Sequence, residues 1–272
     1  MIIDIHTHVF PDAIAPKTIA ALTEKAAGAV HASTDGTLDE LKASMRRSGV
    51  DVSVVQPVVT RPSQFESINR FAAEISGQDG VYSFGGIHPD DESYKEHLAA
   101  IREMGLRGVK IHPDYQGVMI DDPRAVRVIR EAVDAGLYVM THAGFDVGFP
   151  EKIHCPPPAA KRMLTAVYGD DRSAVEPRII LAHLGGYTQI DEVMAYLVGE
   201  PVYLDLSFAL PRVSPEDVMR LIRAHGAERI LFGSDCPWGE QADFVARVNA
   251  LPLTEGERAL IFAGNAKKIL GI

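Results

Sequence analysis

Eight short runs rich in β-branched and apolar residues recur along the chain, at 2–8, 52–58, 81–88, 106–112, 137–143, 178–185, 202–207 and 229–235. Between them lie stretches with helical spacing or loops leading to one, among them LDELKASMRRSG, SYKEHLAAIREMG, PRAVRVIREAVDAG and SPEDVMRLIRAHG. Apolar strands that alternate strictly with helices favour parallel pairing, because each crossover helix covers a face of the sheet. Eight such units predict a closed (β/α)8 TIM barrel, for which 272 residues is an ordinary length. An open doubly wound sheet is the alternative arrangement of the same rhythm.

The punctuation agrees with this reading. Thr37 and Ser214 are placed to cap helices, Pro123 and Pro215 suit a first helical turn, and Gly49, Gly105, Gly136 and Gly226 sit where helices should stop. No linker or low-complexity tract divides the chain, so one domain over residues 1–272 is expected. Two longer segments, 9–36 and 144–177, break the rhythm and should lie over the barrel mouth and shape a pocket.

Composition narrows the partners. The formal charge of −10 disfavours nucleic acid, whose binding draws on clustered Lys and Arg. No window approaches the roughly 18 apolar residues of a membrane span, and the N-terminus lacks a basic region and a small-residue cleavage pattern. Cys155 and Cys236 are too few for a disulfide framework and fit a reducing compartment. A cytoplasmic protein acting on a small molecule is expected, without nucleic-acid or membrane partners.

The polar residues gather at the ends of the apolar runs. His6 and His8 close the first, His88 the third, Lys110 and His112 the fourth, His142 the fifth, His183 the sixth and Asp235 the eighth. In a TIM barrel the C-terminal rim carries the active site. In a strand, positions 6 and 8 project to the same face, so two imidazoles can grip one ion. With His142 and Asp235 they make three imidazoles and one carboxylate, which suits Zn²⁺, and Mn²⁺, Fe²⁺ or Co²⁺ accept similar ligands. His88 reads as a structural histidine, and His31, His97 and His225 as solvated surface.

IDIHTHVFPD, GVKIHP, VMTHAG, LAHLGG and ILFGSDCPW, in this order and nearly end to end, resemble the amidohydrolase superfamily. The resemblance is specifically to the amidohydrolase-related branch that includes aminocarboxymuconate-semialdehyde decarboxylase. The resemblance implies one divalent metal held by His6, His8, His142 and Asp235, with His183 beside it in proton transfer or in polarising the bound water. Asp235 would also shuttle the proton, and His183 would face developing negative charge. Lys110 leaves a two-metal arrangement open, because two-metal members carry a carboxylated lysine on the fourth strand and histidines of the fifth and sixth on the second ion. His112 and His154 are candidates for the pocket or a second ion, and Arg61, Tyr115 and Arg212 for contact with substrate. Dimers are common in the branch, so a homodimer is expected by analogy.

The reaction expected is hydrolysis of an amide, ester or lactone-type bond by a metal-activated water. The alternative is non-oxidative decarboxylation of an aromatic or unsaturated acid, which should gather cations around a carboxylate. A catalytically idle barrel is the third reading. A metal-dependent deoxyribonuclease of the same barrel class is disfavoured by the acidic charge and by Lys110 in GVKIHP.

Overall fold

The structure, a computed structural model, describes residues 1–172 and 174–272. Its strands are β1 (Ile3–Thr7), β2 (Val52–Val55), β3 (Val81–Ser83), β4 (Gly85–Gly86), β5 (Gly108–Ile111), β6 (Tyr138–Thr141), β7 (Ile179–Leu181), β8 (Tyr203–Asp205) and β9 (Ile230–Leu231). All pair in parallel, in the orders β1-β2-β3 and β4-β5-β6-β7-β8-β9. The third expected run is thus two short strands that flank Phe84. Phe84 N–H still donates to Val55 O at 2.9 Å, so the arcs meet there. They meet again where Ile5 N–H donates to Phe232 O at 3.0 Å and Thr7 pairs with Cys236. The architecture is the expected (β/α)8 barrel.

The break at Phe84 follows from what surrounds it. A Cβ on Gly85 would stand 2.6 Å from Asn69 Oδ1, and one on Gly86 would stand 2.7 Å from Val59 Cγ2. The backbone passes too close to α3 (Phe65–Ile75) and to the loop after β2 for any side chain.

Alternation along each strand sorts two cores. Val109, Ile111, Val139, Ile179, Leu181 and Leu204 pack outward against helices, whereas Ile3, Ile5, Val54, Met140, Ile180, Tyr203 and Leu231 form a second cluster facing the other way. Lys110 follows Val109, and His142 follows Met140 by two, so both point with that second set towards the barrel axis.

The helices are α1 (Ala15–Lys25), α2 (Leu38–Ser48), α3, α4 (Tyr94–Glu103), α5 (Pro113–Gln116), α6 (Pro123–Asp134), α7 (Pro157–Tyr168), α8 (Ile190–Tyr196), α9 (Pro215–His225), α10 (Gln241–Ala250), α11 (Glu255–Ala259) and α12 (Asn265–Leu270). The Thr37 and Ser214 hydroxyls accept from Glu40 N–H and Asp217 N–H, and Gly49 closes α2 in the left-handed conformation. Both long segments contain a helix, α1 in the first and α7 in the second. On α1 and its flanks Ile14, Thr18, Leu22 and Ala26 recur every four residues and line the pocket, which puts that segment over the mouth as expected.

Of the histidines read as surface, His225 is buried and His97 is half-buried. His225 is fully buried on α9; Nε2 donates to Val202 O at 2.8 Å and Nδ1 accepts from Gly199 N–H at 3.4 Å. His97 stacks on Phe65 with ring centroids 3.7 Å apart and pairs with Asp91. Each has a nearby partner on another element, which sequence spacing does not reveal. No helix among the described residues is long and apolar enough to cross a membrane.

Candidate metal centre

Backbone bonds bring the first and last strands together. Asp235 N–H donates to His6 O at 2.8 Å, and His8 N–H donates to Cys236 O at 2.6 Å. Asp235 has φ +68°, His183 φ +59° and Phe208 φ +54°. Three non-glycine residues in the left-handed region, all lining one pocket, mark a place where backbone strain is held by its surroundings.

The hydrogen-bond partners fix the tautomers of the two histidines. His8 Nδ1 lies 2.8 Å from Gln56 O, a carbonyl that can only accept, so the proton is on Nδ1 and the lone pair on Nε2. His6 Nδ1 donates to Asp205 Oδ2 at 2.8 Å, which leaves its Nε2 lone pair free as well. Both lone pairs face one carboxylate oxygen: Asp235 Oδ1 is 3.0 Å from His8 Nε2 and 3.4 Å from His6 Nε2. Three electron-rich atoms converge with no proton of their own between them, the arrangement that a cation relieves.

Electrostatics sharpen this. Burial, then the Lys110 ammonium, hold His6 well below its ordinary pKa, so its ring is neutral. Burial works to lift the Asp235 carboxyl, and positive charge at the surrounding His6, His8 and His183 rings would bring it well below the usual carboxylate range; with His6 and His183 neutral, a cation has to supply that charge. Lys110 Nζ stands 3.0 Å from His6 Nε2, and burial pushes Lys110 down to about 8.

His142 joins a different group. His183 Nδ1 lies 3.1 Å from Ser207 O and 3.0 Å from Ser207 Oγ, and His183 Nε2 faces His142 Nδ1 at 3.1 Å. His142 Nε2 has no hydrogen-bond partner and lies 3.9 Å from both Asp114 Oδ2 and Asp146 Oδ2. Ligand atoms of His6, His8 and Asp235 lie within 4.8 Å of one another, and so, separately, do those of His112, His142 and Asp146. His6, His183 and Asp205 meet the same limit, but there Asp205 already accepts from His6, from His183 N–H at 2.9 Å and from Ser207. That last group is a hydrogen-bonded support.

The other expected residues divide. Lys110, His112 and Tyr115 line the pocket. His154 Nδ1 donates to Asp114 Oδ1 at 2.8 Å and stands behind the wall. Arg61 is exposed at the start of a 3-10 turn, Pro62–Gln64, and lies outside the pocket, where Thr60 and Gln64 take the lining positions. Arg212 is also exposed and stacks over the Phe208 ring at 4.1 Å. Cys155 is buried, and burial pushes its thiol well up. Sequence reading missed Asp114, Asp146 and Asp205. For Asp205 a signal existed, a lone carboxylate inside the apolar run VYLDLS; the other two aspartates gave none.

About 500 Å³ of cavity opens above these groups, walled by Phe10, Phe71, Tyr115, Phe145, Phe208 and Trp238 among other residues. No arginine lines it among the described residues.

A family model described as Amidohydrolase matches residues 3–272. No curated protein matches the sequence. Among solved structures the chain is similar to a 2,6-dihydroxybenzoate decarboxylase complexed with 2,6-dihydroxybenzoate, at 15% identity and TM-score 0.74, covering 100% of this chain and 99% of that one. It is similar to a dihydroxybenzoic acid decarboxylase from Polaromonas sp. JS666, solved with manganese and 2-nitroresorcinol, at 15% identity and TM-score 0.70, covering 99% and 96%. A candidate 2-pyrone-4,6-dicarboxylic acid hydrolase from Pseudomonas putida shares 18% identity at TM-score 0.65, covering 99% and 97%. At these identities the likeness is one of fold.

Proposed function

The chain belongs to the amidohydrolase family, and from that premise we propose that it is a metal-dependent hydrolase of an amide, ester or lactone-type bond in a small molecule. The observation that carries the reading is the convergence of the His6 and His8 Nε2 lone pairs on Asp235 Oδ1. These N and O donors fit a divalent ion, Zn²⁺ foremost, with Mn²⁺, Fe²⁺ and Co²⁺ as alternatives. His142, the fourth ligand expected from the resemblance, faces His183 Nε2 with its Nδ1 at 3.1 Å beside this triad, and we seat the ion on His6, His8, His142 and Asp235.

A divalent ion there supplies a Lewis acid and lowers the pKa of a water from 15.7 towards about 7. Asp235 is ionised and buried beside that position, so its carboxylate can take the proton of the attacking water and pass it to the leaving group. Asp205 and the Gln56 carbonyl hold the two imidazoles in the tautomer that presents Nε2. His183 is buried and held down to about 4 by burial and then by His142, so it is neutral at pH 7. Its Nδ1 lies against Ser207 and its Nε2 faces His142, and we keep for it the expected place beside the ion, facing the charge that develops on the substrate.

The choice of hydrolysis rests on the pocket. A decarboxylase should gather cations around a carboxylate, and Arg61 and Arg212 stand outside while Lys110 already donates to His6. The aromatic wall supports the second reading, decarboxylation of an aromatic acid, since it would sandwich a flat ring. Metal-loaded protein assayed against neutral esters and lactones and against hydroxybenzoates separates them. Turnover of the former supports hydrolysis, and CO₂ release from the latter alone overturns it.

A further inference from the structure

The cavity above the metal centre divides by chemistry. Its ionisable side chains gather around the ligands, while two helix stripes that the proposed reaction does not use supply much of the remaining wall. On α1 and its flanks the stripe is Ile14, Thr18, Leu22 and Ala26; at the start of α3 and along it, Gln64, Ser67, Ile68 and Phe71 follow the i, i+3, i+4, i+7 spacing of one helical face. Ile14 is 50% exposed, and Leu22, Ile68 and Phe71 are half-buried, so these side chains keep apolar area open instead of spending all of it in the core. Ala26 and Val30 form a small cluster of their own with Phe208, on which Val147 and Trp238 pack, so the apolar wall continues from the first long segment to the second. Apolar area kept open at the mouth of a cavity of about 500 Å³ is the mark of a ligand groove.

Charge points the same way. Among the described residues Lys110 is the only lysine or arginine in the lining, and its Nζ stands 3.0 Å from His6 Nε2, at the metal end. Lys25, on α1, lies outside the lining and turns its ammonium onto the Phe149 ring at 3.6 Å. The carboxylates of the lining, Asp146 and Asp235, are at the metal end as well. An anionic group lying against the α1 and α3 stripes would lose its water and find no cation in exchange, which is costly.

We propose that the substrate is an uncharged molecule with a medium-length alkyl or aryl group, which seats against the α1 and α3 stripes while its hydrolysable bond lies at the metal. The bond cleaved rests on the hydrolase reading, whereas the class of molecule follows from the cavity walls. Leu22 and Ile68 select the ligand by the apolar area they offer. Each methylene buried there strengthens binding about fourfold.

Metal-loaded protein tests this with two readouts. The first is kcat/KM for methyl esters of straight-chain acids of four, six and eight carbons, followed by proton release. It should rise about fourfold per methylene, and methyl hexanoate should exceed the monomethyl ester of adipate, which adds a carboxylate at the chain end, by about 100-fold. The second needs no turnover: N-phenyl-1-naphthylamine, an uncharged apolar fluorophore, should bind saturably and be displaced by methyl octanoate. Leu22→Asp should weaken it at least tenfold, Leu22→Met should restore most of the binding, and Met104→Asp, at an exposed apolar residue outside the cavity, should leave it unchanged. Ile68→Asp repeats the test from the other helix, with folding checked by circular dichroism. Fluorophore binding that both aspartate variants weaken, with no ester turned over, keeps the ligand class and overturns the hydrolase reading. A flat chain-length series, equal turnover of the adipate ester, or fluorophore binding that neither aspartate variant weakens overturns the proposal.

Discussion

His6 Nδ1 and Asp205 Oδ2 lie 2.8 Å apart, both fully buried, on β1 and β8, the two strands that flank β9. Asp205 also accepts from His183 N–H, Ser207 N–H and the Ser207 hydroxyl, so its position is fixed from several directions. It can only accept, which forces the His6 proton onto Nδ1 and the lone pair onto Nε2. Replacing such an outer carboxylate typically weakens metal binding by about 10- to 100-fold. Asp205→Asn should show a loss of that size in a Zn²⁺ or Mn²⁺ titration, and unchanged affinity would refute the role.

Lys110 should compete with the ion for His6. Below about 8 its ammonium donates to the His6 Nε2 lone pair, and above that value the donation weakens. Apparent affinity should rise as the pH goes from 7 to 9, beyond the change due to the histidines. Lys110→Met removes the competitor and should bind roughly tenfold more tightly at pH 7, since ligands must be free of protons to coordinate. Titrations with Co²⁺ at pH 7, 8 and 9 check both, and parallel slopes for the two proteins would contradict this.

His225 should set part of the acid stability. Burial pushes it down to about 4 from an ordinary 6.5, so the folded state keeps it neutral while the unfolded chain takes up the proton. The stability it contributes is complete above pH 6.5 and is lost as the pH falls from 6.5 towards 4. The loss is on the order of 3 kcal/mol. Urea unfolding at pH 7 and pH 4 should show wild type losing more stability than His225→Gln over this range, and an equal loss in both would count against it.

Gly86→Ala should destabilise by about 1–3 kcal/mol, because the new methyl meets Val59 Cγ2 at 2.7 Å and the Pro57 carbonyl at 3.1 Å. Thermal unfolding reads the change, and a neutral substitution would mean that the loop after β2 yields easily.

Much of this architecture was legible in the residues. The alternation of apolar run and helix gave the barrel, and Thr37, Ser214, Pro215 and Gly49 marked helix ends because capping is a local matter of chain geometry. The split of the third strand was not legible, since it depends on how closely Asn69 and Val59 approach the glycines. His6, His8 and Asp235 stood at strand ends and do meet. The close approach of His142 to His183 was hidden, because it depends on ring orientation. His225 looked like a helix-end surface residue until Val202 and Gly199 supplied its partners.

The central claim is that His6, His8 and Asp235 together hold a divalent ion. Anomalous diffraction recorded at the absorption edge of the loaded metal tests it most directly. The account predicts a peak about 2.0–2.2 Å from His6 Nε2, His8 Nε2 and an Asp235 carboxylate oxygen. A loaded crystal with no peak between those three atoms would contradict it.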